Sequence, residues 1–357
     1  MRTKLGIVLE SLARGGAERV SIYLAEYFRK RGWECDFITL TKADNEYQLP
    51  DGINRFIAYT AKPNAVFAIK KIREKIRESN PDIVLIMETS LCTYTVSALA
   101  GLRMPFVVSE RNDPGHFAGN RLNIKIARFL MKKANGFVFQ TKGAKEFYDK
   151  PLKGRGTIIP NPLNGKISGI YMEQREKKIV AVGRLVEQKN QKLLINAFAG
   201  IHKKYIDYFL DIYGEGELEN ELRQLCAKLG IGKFVRFHGN VTDVVEQIKN
   251  AAVFVMPSYY EGMPNALIEA MSVGMPCIAT DCPCGGPHEL IDNNVNGILV
   301  KVDNVEEMER AIGYYLEHPD IAAKHGEKAL EIRKKLNPDV IGDKWVGYFE
   351  KILMESI

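Results

Sequence analysis

The stretch Val253-Phe-Val-Met-Pro-Ser-Tyr-Tyr-Glu261-Gly-Met-Pro-Asn-Ala-Leu-Ile-Glu269 decides how this chain is read. An apolar run of strand length ends at Pro257. A polar loop holding Glu261, Gly262 and Pro264 follows, and a helix opens near Asn265. Strand, loop and helix in that order make the front half of a βαβ unit. The carboxylates fall at telling places, Glu261 at the strand end and Glu269 in the first turns of the helix.

Working outward, the same grammar repeats in both directions. Downstream lie strand-like runs at Pro276–Thr280 and Gly297–Val300. Upstream lie Lys178–Gly183, Tyr208–Tyr213 and Phe234–His238, with helical stretches Asn190–Ile201 and Glu217–Leu229 between them. A first series precedes these: Leu5–Leu9, a helix from Ala17 to Arg31, Cys35–Leu40, Ile83–Met87, Phe106–Ser109, Gly136–Gln140 and Thr157–Pro160. Apolar strands alternating with helices predict an α/β protein with parallel sheets covered on both faces. A chain of 357 residues exceeds one ordinary core, so two such domains are expected. The run Asn161-Pro-Leu-Asn-Gly-Lys-Ile-Ser-Gly169 reads as the linker. The boundaries are then 1–165 and 170–341, with an aromatic-rich helix about 342–357 returning to the first domain. Two doubly wound domains facing across a cleft would bind ligands at the C-terminal ends of their strands.

Composition is that of a globular protein, 46% apolar and 26% charged, and no stretch approaches the length of a membrane span. The apolar start closes at Glu10 and is too short for a signal peptide. Six cysteines without paired CxxC spacing predict neither a zinc site nor a disulfide framework, and a cytoplasmic setting. Charge is divided: residues 1–165 hold 27 basic and 16 acidic side chains, the remainder 23 and 28. The first half should therefore face something anionic.

Several strand ends carry candidate chemistry. The helix opening after Glu261 offers free amides and a positive dipole end, suited to a phosphate. A carboxylate at Glu269 can accept two hydrogen bonds from a vicinal diol such as ribose, and Glu261 can do the same for sugar hydroxyls. Arg184 and Lys189, in Gly183-Arg-Leu-Val-Glu-Gln-Lys-Asn190, provide a forked donor and a point charge for a diphosphate. Gly214-Glu-Gly216 permits a tight turn but lacks the spacing of a dinucleotide fingerprint. Gly239-Asn240-Val241 can present backbone groups to a base edge, and His238 beside it reads as structural. Gly15 and Gly16, before the first helix, suit a phosphate or sugar nest without the Lys-Ser/Thr of a P-loop. Glu110, Arg111 and Asn112 follow another strand. Taken singly, each segment is equally an ordinary turn or a charged surface loop.

Taken together and in order, they resemble glycosyltransferase family 4, the retaining GT-B enzymes. The resemblance rests on the Glu261/Glu269 spacing, the Gly-Arg-Leu-x3-Lys-Asn run, the Gly-Glu-Gly bend, the N-terminal Gly-Gly-Ala-Glu-Arg-Val and Thr280-Asp-Cys-Pro-Cys-Gly-Gly-Pro-His-Glu-Leu290. It implies a metal-independent hexosyltransferase without cofactor, using a UDP-sugar. Arg184 and Lys189 would bind the diphosphate, Glu269 the ribose, and Glu261 the sugar. Gly262, Met263, Pro264 and Asn265 would border sugar and phosphate, Gly239 to Val241 the base, and Gly214 would also belong to the donor site. Gly15 and Gly16 would close over donor and acceptor. Glu110, Arg111 and Asn112 would face the acceptor, with Arg111 standing where relatives often have histidine. The N-terminal and Asp-Cys-Pro-Cys segments look like those of bacterial enzymes that extend polyprenyl-diphosphate-linked glycans.

The charge map suits such an acceptor. Lys70, Lys71, Arg73, Lys75 and Arg77 interleave with Phe67, Ile69, Ile72 and Ile76 on one predicted helix. Arg121, Lys125, Arg128 and Lys132 form a stripe on another. Both could contact an anionic membrane surface or a lipid diphosphate, placing the protein on the inner face of the plasma membrane. Two other readings compete: a sugar-nucleotide epimerase of similar fold, and a nucleic-acid-binding protein using the basic half. The latter leaves the Glu261 segment unexplained, so no nucleic-acid partner is expected.

Overall fold

The computed structural model describes residues 2–60, 63–116, 120–165, 167 and 169–356. Lys166 and Ser168 of the expected linker lie outside the described residues, as does Ile357. The chain divides into two compact units, Met1–Pro162 with Pro338–Ile357, and Leu163–Asn337.

The first unit is built on seven parallel strands: β1 Lys4–Leu9, β2 Glu34–Thr39, β3 Asn54–Ile57, β4 Ile83–Ile86, β5 Phe106–Glu110, β6 Gly136–Phe139 and β7 Gly156–Ile158. Their order across the sheet is β3-β2-β1-β4-β5-β6-β7. β4 is buried at every position, because helices cover both faces. Side-chain caps start the helices: Asn64 accepts from Phe67 N–H and Thr141 from Ala144 N–H. Helix Pro338–Ser356 packs against helix Gly16–Lys30. It buries Ile341, Trp345, Phe349 and Ile352, and the Phe349 ring meets Phe28 edge-on at 5.4 Å. Gly342 is needed at this crossing, since a Cβ there would lie 2.5 Å from the Tyr27 ring.

β3 is a strand that the hydrophobic pattern does not reveal. Asn54-Arg-Phe-Ile57 sits at the sheet edge, and its Arg55 forms a two-pronged pair with Glu46, at 2.6 and 2.9 Å. Glu46 also accepts the Leu12 N–H at 3.2 Å, which ties the loop after β1 to the sheet edge.

The second unit holds β8 Glu176–Val182, β9 Phe209–Tyr213, β10 Val235–Phe237, β11 Ala251–Met256, β12 Cys277–Thr280 and β13 Ile298–Val300. Their order is β10-β9-β8-β11-β12-β13, again parallel. The stretch expected as a linker is buried at its start: Asn161 is 2% exposed in the first unit, and Leu163 lies in the core of the second. Leu163 N–H donates to Leu336 O at 2.9 Å, so the two chain passages of this unit leave it side by side.

Candidate functional site

In the second unit the candidate residues gather at the C-terminal edge of the sheet, on loops after β8, β9, β10, β11 and β12. The loop after β8 is zipped to the loop after β11. Tyr259 N–H donates to Gln188 O and the Gln188 amide to Tyr260 O, both at 2.9 Å. Lys189 Nζ forms an ion pair with Glu261 Oε1. Lys189 ends a short helical turn, and Asn190 then adopts a left-handed conformation (φ 43°) to cap helix Gln191–His202. Arg184 is exposed and makes no side-chain hydrogen bond or ion pair among the described residues. The two proposed phosphate cations thus differ: one is held on a carboxylate, the other reaches solvent.

Glu261 and Glu269 are 6% and 5% exposed. Buried carboxylates are uncommon on an ordinary surface loop. Glu269 lies in helix Asn265–Ser272, whose N-cap is Pro264, with no side-chain cap and no acidic residue in the first turn. Met263 is buried, and the Gly262 carbonyl packs so closely on Gly286 that a Cβ there would lie 1.6 Å from it. This contact explains the glycine at 286, and it brings the Asp281–Leu290 segment against the glutamate loop.

The loops after β9 and β10 meet as well. Gly214 N–H donates to Gly239 O at 2.8 Å, and a Cβ on Gly214 (φ 128°) would come within 2.1 Å of Gly183 O. Glycine is required there on both counts. Glu215 accepts from the Asn240 backbone N–H at 3.3 Å and from its side-chain amide at 2.9 Å, so these donors turn toward the loop after β9. Val241 remains 37% exposed. The His238 ring stacks on Tyr213 and lies 3.4 Å from buried Asp211, as a structural histidine would.

In the first unit, Gly15 is the N-cap of helix Gly16–Lys30, with the Glu18 carboxylate folded over it. Glu110 is 5% exposed. Its carboxylate accepts from Thr89 and Tyr148 hydroxyls at 2.7 and 3.2 Å and from the Arg111 and Asn112 N–H groups at 3.1 and 3.3 Å. Burial raises its pKa against the lowering effect of these donors. Glu110 is thus an internal anchor of its loop, rather than a side chain presented to an acceptor. Arg111 donates to Asn161 and, at 3.4 Å, to Ser109, and burial lowers its pKa to about 10, against the pull of Glu110 and Glu88. Asn112 is exposed. His116, further along this loop, has its Nδ1 2.9 Å from the buried Asp113 carboxylate.

The basic helices are more internally engaged than their sequence implies. Lys71 pairs with Glu74 and Lys75 with Glu78. Arg73 caps the end of helix Cys92–Leu99 through Ala98 O and Ala100 O, at 2.8 and 2.7 Å. Arg128 turns inward to Pro114 O, with its guanidinium over the Phe147 ring. Lys70, Arg121, Lys125 and Lys132 are exposed. Beside them Val66, Phe67, Leu122, Ile126 and Phe129 are 79, 46, 62, 38 and 65% exposed. Among the described residues no cluster of three or more His, Cys, Asp or Glu side chains could hold a metal, and no helix is long and apolar enough to cross a membrane.

Comparison with known proteins agrees with this arrangement. Residues 14–164 match the family described as Glycosyltransferase Family 4, and residues 168–332 the family described as Glycosyl transferases group 1. An uncharacterized glycosyltransferase of Haemophilus influenzae is 27% identical over 96% of this chain and 99% of its own length. A Campylobacter jejuni α-1,4-N-acetyl-D-galactosaminyltransferase that acts on an undecaprenol-linked glycan is 25% identical over 98% of this chain and 99% of its own. The structure of Anabaena HepE in complex with UDP-glucose superposes with a TM-score of 0.81 at 19% identity, covering 98% of this chain and 100% of that one. Two Rossmann-like parallel-sheet units with such neighbours define the GT-B class of fold. The two family matches together take in both units, and both describe glycosyltransferases, as this chain is.

Proposed function

We propose that the protein transfers a hexosyl or N-acetylhexosaminyl group from a UDP-sugar to a hydroxyl of a polyprenyl-diphosphate-linked glycan, with retention of anomeric configuration. The observation that carries this reading is the second unit's strand edge, where buried Glu261 and Glu269 flank an uncapped helix N-terminus beside Lys189. Arg184 and Lys189 take the diphosphate and offset the charge that develops on the leaving group, so no metal is needed. The helix amides add to this field. Glu269 accepts from the ribose hydroxyls and Glu261 from the sugar. The leaving phosphate, on the same face as the acceptor, takes the acceptor proton as the new glycosidic bond forms. The UDP and UDP-glucose bound by the HepE neighbours and the undecaprenol-linked acceptor of the Campylobacter relative support the choice of substrates.

The first unit carries the acceptor and rests on an anionic membrane through the exposed apolar and basic side chains of helices Ala65–Ser79 and Arg121–Met131. The test is a panel of UDP-glucose, UDP-galactose and their N-acetylhexosamine counterparts, read by thermal stabilisation and by UDP release in the presence of EDTA. One of them, and UDP itself, should stabilise the protein. Indifference to every nucleotide sugar and to UDP would refute the donor reading. Proton NMR of the product gives the anomeric configuration. Co-sedimentation with phosphatidylglycerol vesicles that survives Phe129→Asp with Lys125→Glu would refute the membrane face.

A further inference from the structure

Glu261 is held from two sides. Lys189 Nζ pairs with its Oε1, and the Ser258 hydroxyl donates to the same oxygen at 2.7 Å. The two donors are not equivalent. Lys189 sits on a flexible stem that keeps 20% of its side chain exposed. Ser258 is fully buried and three residues away on the same loop. Its own backbone is clamped from the next strand: Ser258 O accepts from the Thr280 hydroxyl at 2.6 Å and from the Cys282 thiol at 3.2 Å. Thr280 is fully buried and Cys282 is 3% exposed. A hydroxyl anchored in this way has little freedom to leave its acceptor.

We infer that Ser258 is the positioning residue that keeps the Glu261 carboxylate aimed at the donor sugar once the donor diphosphate draws Lys189 away. This rests on the proposed donor roles of Glu261 and Lys189. Lys189 and Glu261 neutralise one another in this pair. When the diphosphate takes the ammonium, Oε1 keeps the Ser258 hydrogen bond and Oε2 turns to a sugar hydroxyl. Without the serine hydroxyl the carboxylate would lose its fixed orientation at the moment the reaction needs it. The Thr280–Cys282 clamp makes the segment after β12 part of the same device, although neither side chain touches Glu261 directly.

The experiment compares Ser258→Ala, Ser258→Thr, Thr280→Val and Glu261→Gln in the full chain. Each is read by UDP affinity from calorimetry and by kcat and KM with the UDP-sugar of the panel that is turned over. Ser258→Ala should lower kcat by about tenfold or more, with UDP affinity within about threefold of the parent, because UDP lacks the sugar that Glu261 meets. Ser258→Thr, which keeps the hydroxyl, should restore part of kcat, and Thr280→Val should show a smaller loss of the same kind. If Ser258→Ala does not accumulate as folded protein, Thr280→Val carries the same comparison. Full kcat in Ser258→Ala and Thr280→Val alongside a damaged Glu261→Gln would overturn the inference. An equal loss of UDP affinity and kcat in Ser258→Ala would also overturn it, by marking a merely structural role. Full activity in Glu261→Gln would instead refute the donor reading on which the inference stands.

Discussion

Lys189 has two tasks in this account, and one substitution cycle separates them. Lys189 neutralises a carboxylate whose side chain is 8% exposed. Lys189→Met keeps most of the stem, which packs near Gly183, and removes the charge. Breaking a fully buried pair from one side costs about 3–5 kcal/mol, because the other charge is left without its counter-ion. Here Lys189 is partly exposed and Ser258 still donates to Glu261, so the cost falls to about 2–3 kcal/mol. For a domain of this size, each kcal/mol moves Tm by about 2–4 °C, giving a fall of roughly 4–12 °C in scanning calorimetry. Adding Glu261→Gln to Lys189→Met removes the stranded charge and should restore most of that loss. UDP affinity should behave otherwise, weakening by about tenfold or more in Lys189→Met and staying weak in the double variant, since neither replaces a cation on the diphosphate. A Tm unchanged by Lys189→Met, or UDP affinity recovered by the second substitution, would refute the division of labour.

Three further outcomes follow from local geometry. Gly214→Ala places a Cβ 2.1 Å from Gly183 O at φ 128°, so it should cost about 3 kcal/mol or more and weaken UDP binding, whereas Gly313→Ala, with open space around it, should gain about 0.5–1 kcal/mol in urea unfolding. Arg55 holds the Glu46 pKa at about 2, below its ordinary 4.5, so the folded state binds that proton more weakly. The resulting stability, on the order of 2–3 kcal/mol, is present above pH 4.5 and lost as pH falls toward 2, and Glu46→Gln should flatten that limb of a Tm-against-pH curve. Glu110 has the opposite sign: burial raises its pKa, so its contribution to stability is full below its unfolded value and declines as pH rises through the folded one, a slope that Glu110→Gln should remove.

The sheets were readable because parallel strands covered on both faces must be apolar along their whole length. Ile83–Ile86 and Cys277–Thr280 are buried throughout, and a run of that kind has few other places to go. β3 escaped because an edge strand is released from that demand. Its Arg55 is satisfied by Glu46, Thr39 and a carbonyl of the loop after β2, partners that a linear pattern does not display. The consequence reaches the candidate site of the first unit, since Glu46 also holds the Leu12 N–H three residues before Gly15. A strand invisible to hydrophobic periodicity is thus what braces the glycine loop that periodicity and motif did locate.

Within the second unit the same division separates the carboxylates from their control. Glu261 and Glu269 stood out because a strand end and a helix start are marked in sequence by Pro257, Gly262 and Pro264. Their neighbours carry no such mark. Ser258 resembles any loop serine until its hydroxyl is seen on Glu261, and Lys189 lies 72 residues from its partner. Charge alone misleads in the same way. Arg73 and Arg128 belonged to the expected basic face, yet one caps a helix end and the other braces the loop that carries His116. The apolar residues beside the remaining cations, especially Leu122, Ile126 and Phe129, share their helix spacing and stay exposed. A basic stripe by itself suits any polyanion. Apolar side chains left in water on the same helix add hydrocarbon to that charge, which is the combination the proposed membrane face draws on.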